Sequence, residues 1–398
     1  MAISKLTVEQ LAMIAIILDE EEEECQKSTR RYWIHNSIKR RKTEGEYWTL
    51  FRHLVDDEEK FFQYFRMCTY QFNNLLKKIE NDIDRKNTTF RECLPPKEKL
   101  AVCLRYLATG DSFTTIAFSY RMGISTVRRA VSEVCDAVIK NVLRESFPTP
   151  GIEQWEKNIE EFWNKWNFPN CLASIYRKHV IILAPPNSGS LYFNYKKTFS
   201  IVLMAMVDPN YNFIAVNVGA FGKDSDGGIL SKSKLGKAIF ENKFNIPSKR
   251  CLPGTNMSAP CVILGDEAFP LKNNLLRPYS SQQSINDSKK RHFNYRLCRA
   301  RRVVENAFGI LSQKFRVYNR RMYLKPEYAE KIVLTTCILH NFIRRGETVP
   351  YTETNTPVQF NNLRHQGGNA VSTAFEVRNL FADFFQTSQG QLDWTPCN

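Results

Sequence analysis

Two carboxylates in this sequence stand where phosphodiester chemistry would use them. Cutting or joining a phosphodiester with hard divalent cations needs clustered acids. Mg²⁺ prefers oxygen ligands, and two ions about 4 Å apart stabilise the attacking and leaving oxygens together. Asp266 follows the apolar run Cys261-Val262-Ile263-Leu264, which reads as a buried strand, so it leaves a sheet at its carboxyl end. Open α/β sheets bind their ligands there. Glu305 borders the apolar stripe Leu297, Ala300, Val304, Phe308 and Leu311 of a long helix expected over 294–315. The purely structural account of Glu305 is a helical ion pair, with Arg301 at i, i+4 or Arg302 at i, i+3.

The elements that must position these acids follow from periodicity. Runs at 179–183, 199–207 and 213–218 are apolar or β-branched and predict strands, the last two joined as a hairpin by Asp208-Pro209-Asn210. A helix over 229–240 and the strand at 261–264 complete a mixed α/β sheet with helices on both faces. The first third is helical instead, with Phe61, Tyr64, Phe65, Phe72, Leu75, Leu76 and Ile79 at helical spacing. Pro95-Pro96 open one helix, which Gly110-Asp111 close. The segment 114–129 predicts a helix-turn-helix: Ala117 allows close approach, Gly123 makes the turn, and Ser125 caps a second helix with Val127, Val131, Val134 and Val138 inward. Thr126, Arg128 and Arg129 would then stand near the start of the recognition helix. An ordinary helical hairpin fits the same pattern equally well.

Composition narrows the classes. The chain has 398 residues, with 56 Lys and Arg against 41 Asp and Glu, a net charge of +15 that favours a polyanionic partner. The longest apolar stretch, near 11–18, is too short to span a membrane and runs into six acids (Asp19 to Glu24), so neither a membrane span nor secretion is expected. Eleven scattered cysteines without a C-x-x-C pair read as reduced thiols. No H-E-x-x-H, Walker loop or Rossmann glycine fingerprint occurs. The basic run 38–42 is a candidate nuclear import signal or a solvated surface.

A series of ordered motifs then becomes recognisable: Phe168-Pro169-Asn170, Lys178-His179-Val180, Ser188-Gly189-Ser190, Tyr192-Phe193-Asn194-Tyr195-Lys196, Ser225-Asp226-Gly227-Gly228, Gly265-Asp266-Glu267-Ala268-Phe269-Pro270, Phe293-Asn294-Tyr295-Arg296, Arg301-Arg302-Val303-Val304-Glu305-Asn306-Ala307-Phe308-Gly309 and Leu339-His340-Asn341-Phe342. Together they resemble the PIF/Harbinger superfamily of DDE transposases and the nuclease-like proteins domesticated from them. The resemblance implies an RNase H-like domain behind a helical region with a helix-turn-helix. It divides the chain into a variable N-terminal helix with an acidic run (1–29), the helical region (30–150), the nuclease domain (151–346), and a loop with a C-terminal helix (347–398).

By the same resemblance Asp266 is the second aspartate of the catalytic triad and Glu305 its glutamate. Both are expected metal ligands, for Mg²⁺ or Mn²⁺ if the site is active. The first aspartate is missing, because Tyr176 holds its place in Ile175-Tyr176-Arg177-Lys178-His179. A neutral phenol cannot bridge two cations as a carboxylate does. The expectation is therefore a cleavage-deficient, DNA-associated nuclear protein, and the alternative an active endonuclease with a substitute carboxylate such as Asp226. DNA contacts are expected from Arg128, Arg129, Lys178, Arg299, Arg301 and Arg302, within a segment 289–321 carrying eleven basic residues and one acid. The resemblance also implies a separate Myb-like DNA-binding partner, and localisation to the nucleus with some cytoplasmic presence.

Overall fold

A computed structural model describes residues 35–87, 92–241, 245–345 and 371–392. The expected N-terminal helix, the acidic run, the loop at 347–370 and Trp394 lie outside the described residues. The helical region comprises α1 (Asn36–Lys39), α2 (Arg41–Glu44), α3 (Glu46–Val55), α4 (Glu58–Phe65), α5 (Thr69–Ile83), α6 (Pro96–Thr109), α7 (Phe113–Ser119), α8 (Ile124–Ser146) and α9 (Ile152–Trp166). Phe51, Phe61, Phe65 and Phe72 meet as an aromatic cluster with centroids 4.8 to 5.9 Å apart. Pro96 at the first turn and Gly110 in a left-handed C-cap (φ 67°) bound α6 where the sequence predicts.

The two helices joined by a short turn form, with the four predicted valines of α8, and Val142 beyond them, buried. Their turn differs from expectation. Gly123 is an extended N-cap (φ −72°), and Arg121 takes the left-handed conformation (φ 52°). Ser125 is thus inside the first turn rather than capping it. Thr126 is buried against the helical core rather than presented outward.

Strands β1 (Cys171–Ile181), β2 (Ser200–Val207), β3 (Phe213–Phe221), β6 (Val262–Leu264) and β7 (Leu275–Leu276) form a five-stranded sheet in the order β3-β2-β1-β6-β7. The first three pair antiparallel and the last three parallel, a mixed α/β arrangement consistent with an RNase H-like fold. A small ribbon, β4 (Arg250–Cys251) with β5 (Ser258–Ala259), stands apart. Strand β1 begins eight residues earlier than its β-branched stretch suggests, because small and sulfur-bearing residues, all buried, fill its first half. The helix expected over 229–240 is two, α10 (Asp226–Lys232) and α11 (Lys234–Phe240), broken at Ser233, whose hydroxyl caps α11 through Gly236 N–H.

Helix α13 (Ser288–Lys314) lies across the sheet, following the short α12 (Ser281–Ser284). Helix α14 (Pro326–Arg345) packs on both α8 and β3, and α15 (Ser372–Phe384) docks on α13 through Phe381, Phe384 and Phe385. One apolar core therefore runs from the helical region under the sheet. Asn341 ties the two parts together, its side chain accepting from Phe213 N–H and donating to the carbonyls of Phe213 and Ser146. No described helix is long and apolar enough to cross a membrane.

Candidate functional site

Sheet register brings Tyr176 and Asp266 to one level. Ser174 of β1 pairs with Leu264 of the parallel β6, and each chain continues two residues to its functional position. Ser174 donates from its hydroxyl to Ala300 O of α13 at 3.2 Å, so that face of β1 looks at α13. Alternate residues of a strand share a face, and Tyr176 accordingly meets α13 as well. Its ring lies 6.3 Å from that of Phe308 and 5.3 Å from the Arg301 guanidinium. Burial along β1 is complete to Ile175 and partial from Tyr176 to His179, so the strand opens at this position.

Tyr176, Asp266 and Glu305 sense one another. Burial, with Asp266 and Glu305 adding their charge, pushes the Tyr176 phenol up to about 12 and keeps it protonated. Burial raises the Asp266 carboxyl above its usual range, against the pull of Arg301, an N–H bond from Ala268 at 3.0 Å and Arg177. Glu305 accepts from Arg301 Nη1 at 2.7 Å, the i, i+4 pair anticipated on structural grounds. Burial works against the Arg301 charge, but Glu305, Cys298 and Asp266 outweigh it and raise its pKa. Asp226, at the start of α10, pairs with Arg177 from β1 and has no exposed side-chain surface. Burial and the nearby Asp266 charge push the Asp226 carboxyl up to about 7, partly offset by Arg177.

These residues do not fit a two-metal centre. The first ligand position holds a protonated phenol, the glutamate is held by one arginine, and the substitute aspartate is held by another. Two hard cations would meet guanidinium charges already beside the acids they need. Among the described residues no three His, Cys, Asp or Glu side chains are grouped closely enough to hold a metal ion.

The expected DNA contacts separate into two kinds. Arg128 and Arg129 are exposed on α8, and Arg302 is exposed on α13. Arg299 and Lys178 are half-buried, Lys178 with its ammonium pKa lowered by burial and by Lys196. Arg301 is buried in its pair with Glu305, so it faces the site and not solvent. The basic surface expected over 289–321 shrinks further. Arg296 is fully buried, donating to Asn167 O and Gly390 O, and Lys289, Lys290 and Arg320 pair with Asp383, Asp287 and Asp111. The run 38–42 is likewise folded into α1 and α2, with Arg40, Arg41 and Lys42 facing Glu44, Glu98 and Glu92.

A cavity of about 260 Å³ opens against the first turns of α8, lined by Arg41, Arg85, Lys86, Lys99, Arg129 and Glu133. Lys99 is committed to Glu133 at 2.7 Å and to Ile83 O at 2.8 Å. Lys86 and Arg129 give the cleft its outward positive character. Sequence reasoning missed this cleft, because its walls come from three separate stretches. The pairing of Arg177 with Asp226 also went unseen, although both residues had been singled out.

Residues 176–341 match the DDE superfamily endonuclease family, the match opening at Tyr176 itself. Protein ALP1-like of Arabidopsis thaliana is 24% identical over 72% of this chain and 71% of its own length. Antagonist of like heterochromatin protein 1, from the same plant, is 23% identical over 78% of this chain and 76% of its own. The nuclease-like protein HARBI1 of Xenopus laevis is 23% identical over 62% and 67% respectively. No solved structure matches. Asp266, Glu305 and most of the mixed sheet thus lie within the stretch of the chain that is similar to DDE superfamily endonucleases, and the relatives it resembles include a nuclease-like protein.

Proposed function

We propose that this chain is a transposase-derived, nuclease-fold protein that associates with DNA in the nucleus and does not cut it. The observation that carries the reading is the neutral Tyr176 phenol at the first ligand position, between Asp266 and Glu305. The guanidiniums of Arg301 and Arg177 support it, since each holds a carboxylate that a cation would otherwise need. DNA is the first partner, met by the exposed Arg128, Arg129 and Arg302 and by the cleft beside α8. Phosphate contacts of this kind give affinity that falls with salt and carries little sequence information. A separate Myb-like protein would supply recognition. The name of the second Arabidopsis relative, antagonist of like heterochromatin protein 1, points to a heterochromatin protein as the other partner class.

The competing reading is a Mg²⁺- or Mn²⁺-dependent endonuclease with Asp226 as substitute ligand. It requires the Arg177–Asp226 pair to open and Arg177, which also donates to Asp224 O at 2.9 Å, to give up its carboxylate partner. A labelled duplex incubated with the protein and either cation separates the two. Retardation on a native gel with an intact strand on a denaturing gel supports the proposal. Strand scission that disappears in Asp266→Ala overturns it.

A further inference from the structure

The β1–β2 connection carries a rigid turn whose purpose the carboxylate site does not explain. Asn194 is buried at its centre. Its side-chain oxygen accepts from Lys196 N–H at 2.9 Å, Thr198 N–H at 3.2 Å and the Thr198 hydroxyl at 3.1 Å. Its amide nitrogen donates to Ser200 Oγ at 2.8 Å, and that same hydroxyl lies 2.8 Å from His179 Nδ1. Lys197 takes the left-handed conformation (φ 58°), which an Asx-type turn tolerates only when such bonds hold it. The chain Asn194, Ser200, His179 therefore fixes the turn to the first two strands of the sheet.

What the turn presents is an exposed aromatic ring beside lysines. Tyr195 is 53% exposed, stands edge-on to the His179 ring at 5.5 Å, and has the Lys196 ammonium 5.6 Å from its centroid. Lys196 and Lys197, the next two residues, are exposed. Beneath, His179 Nε2 is buried without a hydrogen-bond partner, a cost that native proteins seldom bear away from working sites.

We propose that the 194–198 turn is a seat for an unpaired nucleotide, with the Tyr195 ring stacking on a base while Lys196 and Lys197 neutralise the flanking phosphates. A half-exposed aromatic on a held turn, followed by two lysines, matches the stacking-plus-charge pattern of sequence-tolerant single-strand recognition. A paired duplex offers no base face for the ring, because its bases already stack on each other. The seat rests on the DNA association proposed above and is separable from it, since the α8 arginines lie in the helical region.

Fluorescence anisotropy with the full chain tests it, using one labelled duplex and the same duplex with a three-nucleotide single-stranded gap. The gapped DNA should bind more tightly. Tyr195→Ala should remove about tenfold of that preference while leaving paired-duplex affinity unchanged, and Tyr195→Phe should retain it. Unchanged thermal midpoints would show that the variants fold. Paired-duplex binding with no preference for the gap, or a preference that survives Tyr195→Ala, overturns the seat and leaves DNA association standing. Binding to neither DNA overturns both.

Discussion

Helices α8 and α13 both display arginines in the sequence, and the fold uses them in opposite ways. On α8 the buried positions are taken by small or apolar residues, chiefly valine and alanine, and Arg128 and Arg129 fall on the solvent side. On α13 the buried positions include Arg296 and Arg301 themselves. Arg296 bonds two backbone carbonyls and lies 4.4 Å from the Phe385 ring, holding the C-terminal segment to the sheet domain. Arg301 holds Glu305 beside Tyr176. A count of cations along a helix thus predicts a nucleic-acid surface only where the apolar period leaves those cations outside.

Breaking this contrast is most direct at Arg296. Arg296→Met removes bonds to Asn167 O and Gly390 O and leaves buried acceptors unsatisfied, so urea unfolding should show a loss of about 3 kcal/mol. Arg302→Met, one turn and a half further along and exposed, should stay within about 0.5 kcal/mol of the natural protein. Equal losses would mean that burial does not distinguish the two arginines.

On α8 the expected effect is on affinity. Arg128→Ala with Arg129→Ala should leave the thermal midpoint unchanged and lower the slope of log affinity against log salt by about 1.8 in duplex binding. A weaker affinity with an unchanged slope would place the phosphate contacts elsewhere.

The smallest effect concerns protons. The folded protein holds the Asp226 proton up to about 7, whereas the ordinary carboxyl releases it near 3.8. Between those values the folded state binds more protons than the unfolded chain, so this group's contribution to stability declines as pH rises and is constant above the window. Asp226→Asn should abolish that decline. The difference in thermal midpoint between pH 4.5 and 7.5 should then change by on the order of 2 °C relative to the natural protein. No change would mean that Arg177 keeps Asp226 ionised throughout.

How much of this was legible in the sequence depended on whether the signal was local. The ends of α6 were, because Pro96 and Gly110 act within a turn. The C-terminal helix was legible too, and in the fold Phe381, Phe384 and Phe385 bury its apolar face. The break between α10 and α11 was not. It is set by the approach of Gly236 to the Leu230 carbonyl, where a Cβ would stand 1.7 Å from the oxygen. In the site, Asp266 and Glu305 were legible from a strand end and one helical stripe, whereas Tyr176 came into view only through the family resemblance. The partner of Glu305 was an alternative four residues away, decided by burial of Arg301. The Arg177–Asp226 pair joins β1 to α10 across the sheet edge, and nothing in either residue's neighbourhood announces it.

The central proposal is that Tyr176, standing at the first ligand position, is the main obstacle to cleavage by this domain. Cleavage of an end-labelled duplex in Mg²⁺ or Mn²⁺ by the natural protein, by Tyr176→Asp and by Asp266→Ala tests it directly. The account predicts an intact strand with the natural protein and scission after Tyr176→Asp. Scission by the natural protein that Asp266→Ala abolishes would contradict it.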